Sequence, residues 1–433
     1  MSQILKAVLF AAYIALLIHF LKLLRPQQKA IEIEYIVRPP GSYKKIMREI
    51  KKINEKKQSK YRIKIVDLTF QKPLRLPTDL IYILKWTQAM THYSSPDFIN
   101  GQRPFLDNDC PVYNCFMTND KGLLQDPRYF DAILFDVENN WDYHPNIRTL
   151  HQKYIFTASE PAGIFPVCEP LYNNYYNWTW SYRLDSTIPQ PFFNIYFKNG
   201  TIAGPQLKMQ WLDNSYPLSN SVKSKLNSKT KMVAWFVSHC KTKSKREHLV
   251  SDLNKYLEMY NFTIDIYGMC GKHACPKDDT NSCLEMLQRD YYFYLAFENS
   301  LDEDYVTEKV SNALNYYTVP IVYGGADYSR FLPPDSYIDA KEMTPVALAS
   351  LMFEIIKDPA TYSTYFGWHN NYNYKANSLG SHLCRLCEML NHSHQRSELR
   401  NFTQWWNTEG ACQEQVADAK VLDDQINSSS AKV

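Results

Sequence analysis

Four apolar runs between Met232 and Gly325 constrain this chain more than any other feature. They are MVAWFVS (232–238), FTIDIYG (262–268), YYFYLAF (291–297) and VPIVYGG (319–325), each of strand length. Helical stretches lie between them, one from about Ser244 to Met259 and one near Thr307 to Tyr317. Strands that alternate with helices in this way form a parallel, doubly wound sheet. Further back, LIYILKW (80–86), DAILFDV (131–137) and KYIFTAS (153–159) read as strands between Pro/Asn-rich turns, with polar or charged residues just after each. That pattern suits a second α/β domain with a binding face at its strand ends. The polar linker SNSVKSKLNSKTK (219–231) separates the two, and 433 residues are too many for one small core.

The N-terminus is of another kind. AVLFAAYIALLIHFLKLL (7–24) is apolar apart from His19 and Lys22 and lies between Lys6 and Arg25. Its length is near the lower limit of a spanning helix, about 17–25 residues. No small-x-small cleavage site follows, since the exit reads KLLRPQQK, so a signal anchor is expected rather than a cleaved signal peptide. Residues 1–6 then form a cytoplasmic tail, 7–24 the transmembrane anchor and 25–75 a stem. The stem spaces Ile46, Ile50 and Ile53 helically among lysines, as either a membrane-surface helix or a solvated spacer would. Ten cysteines all follow residue 100, and N-x-S/T sequons stand at Asn177, Asn199, Asn261, Asn391, Asn401 and Asn427. With the anchor, these favour an oxidising lumen for the bulk of the chain. The net charge of +3 gives no basis for nucleic-acid binding, and the 14% aromatic share, with 32 tyrosines, fits a sugar-binding cleft or tyrosine-rich packing equally.

The end of the third run raises the question of function. FENSLDEDYVTEKV (297–310) places five acids and one lysine where a buried strand should stop. In parallel sheets ligands bind at that edge. Thr307 can cap the next helix and Glu308 falls in its first turn, which accounts for some acids but not for Lys309. A lysine near a helix N-terminus is disfavoured by up to about 1 kcal/mol. It is explained if an anion docks there, because backbone N–H groups and an ammonium converge on one phosphate. Asp302-Glu303-Asp304 and Asp107-Asn108-Asp109 also match the D-x-D pattern that holds a divalent ion on a diphosphate. Because Lys309 can neutralise the diphosphate, no metal site is expected.

FYLAFENSLDEDYVTEKVSNALNYYTVPIVYGG strongly resembles the signature of the α1,3-fucosyltransferases. The likeness extends to MVAWFVSHC, SKREHLV, IDIYGMCG, YRLDST (182–187) and RFLPPDSYIDA (330–340), covering roughly residues 80–390. The resemblance implies an α/β protein, a GT-B-like pair of Rossmann-type domains behind an N-terminal signal anchor. Residues 76–220 would be the acceptor-side domain carrying the base, and 221–375 the GDP-fucose-binding domain. Residues 376–433 would be a C-terminal segment whose C-x-x-C packs back, with a disordered tail. It further implies a single-pass type II Golgi membrane protein with a lumenal catalytic region. GDP-fucose is then the donor substrate, no cofactor is required, and a divalent cation would at most stimulate. Carried over residue by residue, the donor site comprises Asn299, Tyr305, Glu308, Lys309 and, in SKREHL, Arg246; Tyr267 would line the nucleotide pocket or belong to the core.

Inverting transfer needs a carboxylate to take the acceptor's proton. The family's E-S-P segment corresponds to SEPAG (159–163), which nominates Glu160, although Pro161 and Ala162 stand where the family has Ser-Pro. Glu138 in FDVENNWDYHP (135–145) is the competing carboxylate, with Trp141 and Tyr143 as platforms for a sugar. That segment lacks the paired histidines of Lewis-type members, and GMCGKHACP (268–276) also looks more like enzymes acting on the innermost GlcNAc of N-glycans. A glycoprotein N-glycan core is thus the expected acceptor, with a Lewis-type outer GlcNAc as alternative. A metal-dependent GT-A enzyme and a non-catalytic lectin are the readings from other classes. Cys110, Cys115, Cys384 and Cys387 could hold zinc, but the resemblance implies disulfides between the last helix and the first domain. Cys270 and Cys275 pair with each other or with Cys283 or Cys240.

Overall fold

The computed structural model describes residues 33–34, 48, 52, 64–67, 70–74, 76–87, 100–138, 144–145, 147–213, 217–276, 279–392 and 401–413. The anchor 7–24, most of the stem, Trp141, Tyr143 and Asn427 lie outside them. Among the described residues no helix is long and apolar enough to cross a membrane. The chain divides into two compact units, Met1–Pro73 with His144–Gln152, and Leu74–Tyr143 with Lys153–Val433. In the first, β1 (Ile33–Glu34), β2 (Lys64–Asp67) and β6 (Ile147–Thr149) form a parallel sheet in the order β1-β2-β6. Two of its strands come from the segment read as a stem.

The larger unit holds the two sheets expected. β3 (Ile81–Lys85), β4 (Cys115–Thr118), β5 (Ala132–Asp136), β7 (Lys153–Ala158), β8 (Trp178–Ser181) and β9 (Ile188–Pro189) pair in parallel, in the order β4-β3-β5-β7-β8-β9. Successive residues serve opposite faces: Ile83, Leu134 and Ile155 enter one core cluster while Leu84, Phe135, Tyr154 and Phe156 enter another. A sheet covered on both faces requires such unbroken apolar strands. The second cluster is strongly aromatic, with Tyr172, Tyr175, Tyr176, Phe402 and Trp406 packed against Phe135 and Phe156. Much of the tyrosine content is therefore packing.

After β9 the chain makes a small antiparallel sheet from β10 (Phe193–Phe197), β11 (Ile202–Gly204) and a late strand described below. The second parallel sheet follows: β12 (Lys231–Phe236), β13 (Ile264–Tyr267), β14 (Tyr291–Phe297), β15 (Val319–Tyr323) and β16 (Ile338–Asp339), in the order β13-β12-β14-β15-β16. Helix α1 (Arg246–Glu258) buries Val250, Leu253 and Leu257, spaced to share one helical face, and packs on one side. Helix α2 (Glu308–Asn315) buries Val310, Ala313 and Leu314 on the other. β17 (Tyr372–Ala376) then pairs with β10 in the small sheet.

The chain finally returns to the first sheet. Helix α3 (Leu379–His392) sets Leu383, Leu386 and Cys387 against one face, while α4 (Phe402–Trp406) enters the aromatic layer on the other. Cys110–Cys384 and Cys115–Cys387 bond across this return, and Cys168–Cys412 joins it on the aromatic side. Cys240–Cys270 and Cys275–Cys283 settle the pairing that spacing left open, and Cys110, Cys115, Cys384 and Cys387 form disulfides rather than a zinc site. Among the sequons, Asn177 is buried and its Oδ1 accepts the Tyr154 amide at 2.7 Å.

Removing the Cys115–Cys387 bond by Cys115→Ser with Cys387→Ser should cost about 2–5 kcal/mol, since it closes a very long loop. A lower thermal midpoint and easier proteolysis after α3 are expected; an unchanged midpoint would show that packing alone holds the return segment.

Candidate active site

In the second sheet the strand order reverses between β12 and β14, so the chain leaves their carboxyl ends in opposite directions. Such a switch point leaves a crevice for a ligand. A cavity of about 510 Å³ opens there, lined by Phe236 to His239 after β12 and by Asn299 after β14. Tyr305, Thr307, Glu308 and Lys309 line it at the start of α2, and Arg246 does so from the start of α1. The first sheet contributes Ser159 and Glu160, which follow β7, and the crossing segments contribute Gln190, Pro191, Phe192 and Asn377.

The acids of 297–310 are used unevenly, and Glu303 shares Arg330 with Asp304. Glu298 is fully buried, and its carboxylate accepts the Thr307 amide at 2.8 Å, the Thr307 hydroxyl at 2.9 Å and the Lys309 ammonium at 2.9 Å. Thr307 therefore does not cap α2 with its side chain, as expected from sequence; its hydroxyl is turned to Glu298 instead. Glu298 also explains Lys309 without any ligand, which corrects the argument that only a docked anion would favour a lysine there. Burial opposes the ammonium, but Glu298 and Glu308 outweigh it and hold Lys309 above its ordinary pKa. The lysine stays charged at the cavity wall. Glu308 stands 3.5 Å from it and is largely exposed.

The D-x-D acids are occupied as well. Asp302 accepts the Gly163 amide at 3.0 Å and the Ser300 hydroxyl, while Asp304 accepts the Leu184 amide at 3.0 Å and Arg330 at 2.8 Å. Neither points at the cavity as a free carboxylate. In the other D-x-D, Asp107 pairs with Arg103 on the surface. Among the described residues no cluster of three or more His, Cys, Asp or Glu could hold a metal.

Arg246 is 2% exposed and so not a solvated helix arginine. It donates to the carbonyls of Phe297 and, at 3.5 Å, of His239, but its Nε finds no partner among the described residues. Asn299 Oδ1 is likewise buried and unpartnered there. Both residues line the cavity, while these two atoms are buried behind its wall. Burial lowers the Arg246 pKa and Glu298 opposes it.

Across the cavity the Tyr305 hydroxyl donates to Glu160 Oε2 at 3.4 Å. Burial, and then the carboxylates of Glu298, Glu160 and Glu308, push the Tyr305 pKa far up, so it keeps its proton. Glu160 thus shares the cavity with Arg246 and Lys309. Glu138 does not line it; its amide donates to Asp136 Oδ1 at 3.0 Å beyond β5. Tyr267 stands off the cavity too, with its hydroxyl 2.8 Å from that of Tyr291 and its ring against Phe236. Sequence reasoning missed Glu298, whose one signal was a carboxylate directly after the seven-residue apolar run YYFYLAF with a lysine eleven positions on.

Residues 226–405 match the family described as glycosyltransferase family 10 (fucosyltransferase), C-terminal, and residues 78–193 match fucosyltransferase, N-terminal. The chain is 37% identical to alpha-(1,3)-fucosyltransferase C of Drosophila melanogaster over 336 residues, 75% of this chain and 77% of that protein. It is 32% identical to glycoprotein 3-alpha-L-fucosyltransferase A of the same organism, covering 72% of this chain and 58% of the relative. It is also 35% identical to a 3-galactosyl-N-acetylglucosaminide 4-alpha-L-fucosyltransferase of Pongo pygmaeus, covering 68% and 73%.

Glu298→Gln should destabilise the fold by about 3–5 kcal/mol, because it removes the buried partner of a largely buried ammonium and leaves it the exposed Glu308 as counter-charge. Glu298→Gln with Lys309→Met should recover much of that loss in a thermal melt. Equal midpoints for Glu298→Gln and the unaltered chain would show that the pair contributes nothing.

Proposed function

The chain belongs to glycosyltransferase family 10, the fucosyltransferases, and on that premise we propose that it moves L-fucose from GDP-β-L-fucose to O3 of a GlcNAc with inversion. The observation that carries the reading is the composition of one cavity. A carboxylate from the first sheet, Glu160, shares its walls with the cations Arg246 and Lys309 and with Asn299 from the second. Glu160 takes the proton from the acceptor hydroxyl as that oxygen bonds to the anomeric carbon. The bond from that carbon to the β-phosphate oxygen breaks, and GDP departs with the electron pair. Arg246, Lys309 and the N-terminus of α2 stabilise the charge that develops there. Asn299 and Glu308 complete the donor site. With Asp302 and Asp304 committed to backbone amides, we take these cations rather than a metal to carry the diphosphate, and a divalent ion would at most stimulate.

The acceptor we propose is the innermost, asparagine-linked GlcNAc of glycoprotein N-glycans. The missing paired histidines in FDVENNWDYHP support this, as does the likeness to a glycoprotein 3-alpha-L-fucosyltransferase. The similar likeness to a galactosyl-GlcNAc enzyme supports the outer-arm alternative. Five disulfides suit an oxidising compartment, in line with a lumenal Golgi site and a type II anchor at 7–24.

Glu160→Gln should keep GDP binding while transfer falls by about 100-fold or more. The same loss in Glu138→Gln, with Glu160→Gln active, would move the base. Mass-spectrometric localisation of fucose on N-glycopeptides should find it on the core GlcNAc. Fucose confined to galactose-capped GlcNAc would overturn the acceptor assignment and leave the donor site standing.

A further inference from the structure

The acids Asp302 and Asp304 are each 2% exposed, yet neither serves the donor. Each instead takes a backbone amide from a different loop at the carboxyl edge of the first sheet. Asp302 holds Gly163 at 3.0 and 3.2 Å, and Asp304 holds Leu184 at 3.0 Å. Asp302 is met also by the Ser300 hydroxyl. The contact is close-fitting. A Cβ on Gly163 would lie 2.9 Å from Asp302 Oδ2 and would also collide with Ser300 Oγ. A Cβ on Gly325 would lie 2.6 Å from the Asp302 amide on the opposite side.

Gly163 is three residues after Glu160, in the same short loop. The donor loop therefore grips the base-bearing loop twice, through Asp302 to Gly163 and through Tyr305 to Glu160. We propose that Asp302 is a positioning residue for transfer: by holding the Gly163 amide it sets Glu160 at its distance from the donor-binding groups. Displacing a reacting group by about 1 Å can cost on the order of 100-fold in rate, so a single amide bond at this point is enough to govern turnover. The proposal rests on Glu160 being the base.

The test is a double-mutant cycle on the full chain, following fucose transfer and GDP-fucose KM. Asp302→Ala should lower kcat by about 10–100-fold with KM for the donor within about twofold. In a Glu160→Gln background the same change should cost less than about twofold, because a base already lost cannot be misplaced. Asp302→Asn, which keeps an oxygen for the Gly163 amide, should restore most of kcat. Should Asp302→Ala fail to fold, Gly163→Ala disturbs the clasp with the acid in place and should show the same non-additivity. An equal loss in both backgrounds, a parallel rise in donor KM, or unaltered kcat in Asp302→Ala overturns the proposal. Full activity of Glu160→Gln by itself overturns the assignment of the base instead.

Discussion

The site is organised around one buried carboxylate. Glu298 ends β14 fully enclosed, where an unpaired charge would cost several kcal/mol, so the surroundings must supply partners. They come from the start of α2, whose Thr307 amide and hydroxyl and Lys309 ammonium all reach it. The backbone on either side collects the other loops. Ser244 Oγ donates to the Glu298 carbonyl at 2.7 Å, the Ser244 amide to Asn299 at 3.1 Å, and the Glu298 amide to Tyr323 at 2.9 Å. Arg246 binds the Phe297 carbonyl one residue earlier. The loop after β12, the start of α2 and the end of β15 are thus tied to a three-residue stretch, Phe297 to Asn299.

What could be read from the sequence follows from what is local. β3, β5, β7 and β12 to β15 were legible because sheets covered on two faces need unbroken apolar runs, whereas the shorter β4, β8, β9 and β16 were not read; the α1 and α2 ranges followed from periodicity. Glu160, Arg246, Asn299, Tyr305, Glu308 and Lys309 were named through a family likeness, and they share one cavity. Glu298 was not legible, since its value depends on a strand end and a helix start meeting in space. The same holds for Asp302 and Asp304, whose partners Gly163 and Leu184 lie 139 and 120 positions away. Pattern reading could offer only a metal motif for them. For Tyr267 the sequence left pocket and core open, because a tyrosine at a strand end faces either side of the sheet, and here it faces the core.

Polar and apolar duties are also divided between the sheets. The aromatic layer beside Phe156 reaches Tyr305 through Tyr182, whose rings are 5.1 Å apart edge to face. Tyr305 therefore joins an apolar layer at its ring and the Glu160 carboxylate at its hydroxyl. A burial that keeps this phenol protonated keeps its hydrogen bond to the carboxylate as a donor.

The long disulfides bear on how the molecule is made. Cys110 and Cys115 await partners 274 and 272 residues downstream, and Cys168 one 244 residues on, whereas the bridges near Cys270 close over 30 and 8 residues. At ribosomal speeds of roughly 5–20 residues per second, the first two thiols stay single on the order of tens of seconds. Throughout that time the face of the first sheet that α3 will cover is open, and its cysteines can react with the nearer thiols of the nascent chain. A chaperone or disulfide isomerase acting on this protein would therefore engage the half that emerges first and release it last.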